Sequence, residues 1–239
     1  MTAEIRTVFL VDDTREVRVA LSRVLSAAGY QVRSFESAES FLEQQDCEMP
    51  GCLLLDICLP RMSGLDVQRS LASAADGRPI VFLTGHGDLQ SGVQAMKVGA
   101  VDFLTKPVEE ARLFAAIDQA LERDFIARNE RAIRRIIERR LECLTRRERQ
   151  VMDQVICGRL NKQIACDLDI GEKTVKVHRA RVMAKMDVRS VAELVQLASR
   201  VGLIQQMDHG PMVVARGIAD HDLRCRMPVA AALHGSRYP

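Results

Sequence analysis

The sequence predicts two folds in one chain: a doubly wound, five-stranded parallel α/β sheet, joined by a helical linker to an all-α domain of four helices. Three observations carry this. Over the first 125 residues, apolar runs of strand length alternate with helix-period stretches, the pattern of a parallel sheet covered on both faces. Charge divides the chain, with 12 Lys/Arg against 19 Asp/Glu in residues 1–124 and 22 against 13 in residues 125–239. Beyond residue 143, helix-start signals recur at short intervals, with a Gly-containing turn between two of the helices. The expected boundaries are 5–124 for the α/β domain, 125–142 for the linker, 143–204 for the helical domain and 205–239 for a tail with little fixed structure.

The predicted strands are 7–11, 30–34, 52–55, 80–83 and 101–104. Between the first two, Val17, Leu21, Val24, Leu25 and Ala28 fall on one helical face, and Gly29 supplies a left-handed stop. From 108 to 142 no Pro or Gly interrupts a helix that is amphipathic at Leu113, Ile117 and Leu121, then dense in arginine: Arg128, Arg131, Arg134, Arg135, Arg139, Arg140. That second half reads equally as a packed linker or as a solvated helix touching nothing. In the helical domain, Thr145 and Glu148 form a capping-box pattern, repeated by Ser190 and Glu193. Helices at 161–168 and 172–186 flank Asp169-Ile170-Gly171, a turn of helix-turn-helix length.

No apolar run approaches the roughly 20 residues that span a bilayer, and the first residues lack a secretory layout, so a cytoplasmic protein without membrane partner is expected. Seven cysteines, an odd number without a Cys-x-x-Cys pair, predict reduced thiols, most of them small core residues. The basic second half is the footprint of a polyanion binder.

Chemistry concentrates where strands end. Asp12 and Asp13 follow the first strand, Asp56 the third, Thr84 the fourth and Lys106 the fifth, so a parallel sheet gathers them on one edge. Each alone has an ordinary use, such as a helix cap or a solvated lysine. Together, three carboxylates call for a hard cation, and Mg2+ suits oxygen ligands with room for water. Asp13 and Asp56 are the expected direct ligands, Asp12 a ligand through water, and the backbone carbonyl of Cys58 a third protein ligand. Asp56 is the candidate nucleophile toward a phosphoryl group, with Lys106 and Thr84 clamping its oxygens.

These positions resemble the receiver domain of two-component response regulators, a flavodoxin-like fold, over roughly residues 5 to 125. Leu-Val-Asp-Asp13, Leu-Leu-Leu-Asp56, Thr84-Gly-His-Gly-Asp88 and the run from Ala95 to Pro107 are most similar to the FixJ-like subgroup. The resemblance implies phosphorylation of Asp56 by a cognate sensor histidine kinase, movement of Thr84 toward the phosphate and Phe103 as an aromatic switch. It further implies a homodimer formed on phosphorylation through about residues 88 to 106. Cys58 stands where the subgroup usually has a basic residue, and with His86 it flanks the site.

Leu144 to Leu197 resembles the LuxR-type helix-turn-helix DNA-binding domain, with Gly158, Asn161-Lys162, Ile164-Ala165, Thr174-Val175-Lys176 and His178-Arg179 as matching marks. Val175, Val182 and Met186 form a core stripe, which turns Lys173, Lys176, Val177 and Ala180 outward. Lys176 is the candidate guanine reader and Val177 a thymine-methyl contact. Thr174, Lys162, Arg179 and Lys185 are candidate phosphate contacts, and His178 is read as packed and hydrogen-bonded. Promoter DNA carrying an inverted repeat is the implied partner, with RNA polymerase beside it.

A phosphatase of the haloacid-dehalogenase kind would need a second Asp where Cys58 stands. A ligand-sensing regulator would want an aromatic-rich pocket, and this chain has no Trp and two Tyr. A binding-only receiver is opposed by the completeness of the acidic set. The expectation is therefore a transcription regulator, not an enzyme, whose only catalysis is phosphoryl transfer to and hydrolysis from its own Asp56.

Overall fold

The computed structural model describes residues 6–44, 46–73, 77–85, 89–205 and 213–214. The chain packs as two units, Met1–Arg135 and Ile136–Pro239.

In the first unit, β1 (Thr7–Val11), β2 (Gln31–Phe35), β3 (Cys52–Asp56), β4 (Ile80–Thr84) and β5 (Asp102–Thr105) lie within a residue of the predicted runs. They form one parallel sheet in the order β2-β1-β3-β4-β5. Every residue of β1, β3 and β4 is buried. Helices cover both faces of a parallel sheet, so these strands are apolar except at their ends and do not alternate. Phe9, Val11, Leu53, Leu55 and Phe82 face one core with Phe41, Val67 and Leu71. Val8, Leu10, Leu54, Val81 and Leu83 face the other with Leu113 and Ile117. Truncating one of these, such as Leu55→Ala, costs about 2–5 kcal/mol through lost transfer energy and the cavity left behind.

The covering helices are α1 (Arg15–Ala27), α2 (Ala38–Gln44), α3 (Gly64–Ser73), α4 (Leu89–Lys97) and α5 (Glu110–Glu142). Gly29 at φ +89° stops α1 as expected. The predicted face is narrower than its spacing suggested, because Leu25 is fully buried but Ala28, already beyond the helix, is exposed.

The solvated reading of the arginine-rich half of α5 fails. Asp124, 2% exposed, accepts from Gly51 N–H and Arg128 Nε, both at 2.8 Å. Arg128 also donates to the carbonyls of Cys47, Glu48 and Met49. Farther along, Arg140 donates to the Met186 carbonyl at 2.9 Å and to Asp187 Oδ2 at 2.7 Å. The expected linker 125–142 is thus shared, its residues up to Arg135 belonging to the first unit and those from Ile136 to the second.

The second unit contains α6 (Arg146–Ile156), α7 (Asn161–Leu168), α8 (Glu172–Met186) and α9 (Val191–Arg200). The capping box at α6 is complete: Glu148 N–H donates to Thr145 Oγ1 at 3.3 Å and Thr145 N–H to Glu148 Oε2 at 2.8 Å. At α9 only half of the predicted box forms. Ser190 Oγ accepts from Glu193 N–H, but the Glu193 carboxylate reaches one residue too far and accepts from Arg189 N–H. In the turn between α7 and α8 the left-handed residue is Asp169, at φ +52°, while Gly171 keeps negative φ as the N-cap of α8.

One expectation needs correction. Of the cysteines described, only Cys52 is buried, its thiol pushed up to about 12 chiefly by that burial. Cys47, Cys58, Cys143, Cys157 and Cys166 are exposed, since they sit in connections, at helix ends or on an outward helix face. At the start of the tail, β6 (Ile204–Gln205) pairs antiparallel with β7 (Val213–Val214). Residues 206–212 and 215–239, with Cys225, lie outside the described residues. Among the described residues no helix is long and apolar enough to cross a membrane.

Candidate functional site

Register brings the strand ends together: Val11 pairs with Leu55, Asp56 with Leu83, and Thr84 with Thr105. Asp12, Asp13, Asp56, Thr84 and Lys106 therefore share one edge. Carboxylate oxygens of Asp12, Asp13 and Asp56 all lie within 4.8 Å of one another. Asp12 is fully buried, Asp56 nearly so, and Asp13 exposed. Gly64 belongs to this edge, because a Cβ there would lie 2.6 Å from the Asp56 carbonyl, so only glycine lets α3 begin against the end of β3.

Lys106 Nζ bridges two of the carboxylates, at 2.5 Å from Asp12 Oδ2 and 2.6 Å from Asp56 Oδ2. Burial opposes its charge, yet the hydrogen bonds and charges of Asp12 and Asp56 outweigh that and raise its pKa above the ordinary lysine value. Asp12 is also raised, by burial first, which its hydrogen bonds from Lys106 and Thr14 N–H only partly offset. Asp56 Oδ1 accepts from the backbone N–H of Cys58 at 3.0 Å.

Thr84 is buried, and its hydroxyl donates to the Gly85 carbonyl at 3.0 Å. Phe103 is half-buried with its ring against Gly92. His86 lies outside the described residues. Arg18 was not foreseen: its guanidinium donates to the backbone carbonyls of Asp12 and Asp13, at 2.7 and 3.0 Å, and steadies the loop that carries both carboxylates. Its signal was a cation in the first turn of a helix, where the macrodipole disfavours one.

On the helical domain, Val175, Val182 and Met186 are buried, and Lys173, Thr174, Lys176, Val177 and Ala180 are exposed along α8. Lys162 is exposed on α7. Arg181, also exposed on α8, joins this basic surface and was not singled out from the sequence. Two candidate phosphate contacts have partners inside the domain. Arg179 Nη1 donates to Asn161 Oδ1 at 3.0 Å, linking α8 to α7. Lys185 Nζ donates to Glu148 Oε2 at 2.7 Å and to the Cys143 carbonyl at 3.1 Å. Glu148 is held down at about 2, first by Lys185 and then by the Thr145 N–H. His178 is half-buried as expected, but its buried Nδ1 has no hydrogen-bond partner among the described residues.

Residues 8–118 match the response regulator receiver domain, and residues 142–198 the luxR family of bacterial regulatory proteins. The response regulator protein TodT of Pseudomonas putida is 42% identical over 201 residues, 84% of this chain and 88% of that protein. The transcriptional regulatory protein FixJ of Bradyrhizobium diazoefficiens is 39% identical over 197 residues, 82% of this chain and 96% of that one. Among solved structures, the response regulator StyR superposes with a TM-score of 0.75 at 47% identity, covering 82% of this chain and 98% of that chain. Full-length FixJ from B. japonicum superposes at 0.52 with 38% identity, covering 84% and 98%. With relatives of this identity running through both units, the chain belongs to the two-component response regulators of the FixJ-like subgroup, regulators of transcription built from a receiver and a LuxR-type DNA-binding domain.

Proposed function

We propose that Asp56 accepts a phosphoryl group from a cognate sensor histidine kinase, and that the phosphorylated chain dimerises through its receiver and binds promoter DNA. The observation that carries this is Asp56 itself: nearly buried at the end of a central strand, with Lys106 Nζ at 2.6 Å and two further carboxylates beside it. Asp56 attacks phosphorus as the bond from phosphorus to the donor histidine breaks, and the leaving imidazole takes up a proton. Lys106 and the Thr84 hydroxyl hold the oxygens of the transferred group, Thr84 leaving the Gly85 carbonyl to do so. The catalysis the chain performs is confined to phosphoryl transfer to, and hydrolysis from, its own Asp56.

A magnesium ion fits the donor set, since clustered oxygens are its preferred ligands and Lys106 alone does not balance three neighbouring carboxylates. Asp13 and Asp56 would hold it directly, Asp12 through water, with the Cys58 backbone carbonyl. When bound, the ion offsets charge on the phosphoryl oxygens. For dimerisation, Val93 and Met96 are half-exposed on α4 beside Phe103, an apolar surface about 500 Å3 in groove volume. For DNA, Lys176 reads base edges and Val177 a thymine methyl, Lys173 faces the major groove with them, and Lys162 and Thr174 hold phosphates, with Arg179 able to do so beside its bond to Asn161. Lys185 is assigned to the domain's own scaffold. RNA polymerase is the further partner of such a regulator, and the cytoplasm its place.

Incubation with acetyl phosphate, followed by phosphate-affinity electrophoresis, tests the assignment. A shifted band is expected only with magnesium and only with Asp56 present; one that survives Asp56→Asn would sink it.

A further inference from the structure

The ring of Phe103 lies so close over Gly92 that a Cβ there would sit 2.9 Å from Cζ and 3.0 Å from each Cε. Carbon atoms do not pack at that distance, so with the ring in this place position 92 accepts only glycine. The helix is not free to withdraw. Ala95, on the next turn, is fully buried in the core, and its carbonyl accepts from Gln68 Nε2 of α3 at 3.3 Å. Backbone conformation does not call for the glycine either, because Gly92 is not among the residues of positive φ and lies inside α4, where alanine is the stronger helix former. What the missing side chain supplies is room for the ring, at the floor of the groove formed with Val93, Met96 and Lys97.

We propose that Gly92 is a positioning residue of the phosphorylation switch: it seats Phe103 over α4 in the resting chain and so sets how readily the ring leaves when Asp56 is modified. The inference rests on the reading of Asp56 and Phe103 given above. A glycine inside a helix weakens it, and here the weakness is offset by one preferred place for an aromatic ring. Any side chain at 92 raises the energy of the resting arrangement relative to one in which the ring has left, which shifts the population toward displacement.

The test uses the full chain with 4-fluorophenylalanine placed at position 103. Gly92→Ala should move the fluorine resonance without any activator, toward the position that beryllofluoride gives in the wild type. It should also lower the beryllofluoride concentration for half-occupancy several-fold, while Val19→Ala, exposed on α1 away from the groove and the pocket, leaves both unchanged. In a Phe103→Leu background the effect of Gly92→Ala on beryllofluoride should vanish; if it persists, the alanine acts through the helix alone and the proposal is overturned. An unmoved resting resonance overturns it too. Because that resonance is read without activator, it decides the seat independently of Asp56, whereas a wild type that never takes up beryllofluoride defeats the Asp56 reading instead.

Discussion

Lys185 Nζ lies 2.7 Å from Glu148 Oε2 and also donates to the Cys143 carbonyl, so a single ammonium ties α8 to the start of α6. Glu148 is 2% exposed and serves as a capping residue as well, so its carboxylate is committed to both the helix start and the lysine. A cation expected at the DNA surface thus also braces the helix that presents that surface.

The first prediction follows from its acidity. Glu148 has a folded pKa of about 2 against an ordinary 4.5, so it stabilises the fold fully above pH 4.5 and loses that contribution as pH falls toward 2. Circular dichroism melts from neutral to acid pH should show Glu148→Gln less stable by roughly 1.5–3 kcal/mol at pH 7, the range for hydrogen bonds to charged groups. The gap to wild type should narrow below pH 4.5 and close as pH falls through about 2.

A second prediction separates the lysines by task. Lys176→Ala should lose about 1–3 kcal/mol per half-site on the true operator and little on scrambled DNA. Lys162→Ala should weaken both duplexes and flatten the salt dependence. Lys185→Ala should lower the melting temperature with an unchanged salt slope. Fluorescence anisotropy at several salt concentrations distinguishes the three; a shallower slope for Lys185→Ala would return it to the DNA surface.

Third, a charge placed in the α4 groove should block assembly. Val93 is 50% exposed, so Val93→Asp buries nothing in the monomer but puts a carboxylate at the proposed dimer contact. Sedimentation with beryllofluoride should find wild type dimeric and the variant monomeric, with Asp56 occupied in both. Dimers of the variant would move the interface elsewhere.

The fourth concerns Asp124, which accepts from Gly51 N–H and Arg128 Nε at 2.8 Å each. Asp124→Ala leaves the buried Gly51 N–H unpaired and removes the carboxylate that steadies Arg128 against the loop it fastens, a cost of about 1–3 kcal/mol. Thermal denaturation of the receiver should fall accordingly, with acetyl phosphate labelling at Asp56 unchanged, because Asp124 has no part in the pocket.

Periodicity and strand-end chemistry were legible because they are local. The runs ending at Val11 and Leu55 were apolar enough to be strands, and the parallel order then forced Asp12, Asp56 and Lys106 onto one edge. The stripe of Val175, Val182 and Met186 likewise declared which side of α8 faces out. What escaped depends on partners distant in sequence. Nothing near Lys185 announces Glu148, 37 residues earlier; nothing near Arg128 announces the carbonyls of Cys47 to Met49. Gly92 reads as a weak spot in a helix until the ring of Phe103 is placed on it. The capping pattern at Ser190 was misleading for a subtler reason: the right residues at the right spacing can still choose a neighbouring N–H.

Cys52 sits in the middle of the sheet with its thiol pushed up to about 12, while Cys47 and Cys58 on the same unit are exposed. Alkylating reagents will therefore exhaust the surface thiols at once and meet Cys52 only in molecules whose sheet has come apart. Its rate of modification is a stopwatch for opening of the receiver in the intact protein, and slowing of that rate by a phosphodonor would report, without any DNA or dimer in the tube, how tightly the occupied pocket locks the sheet.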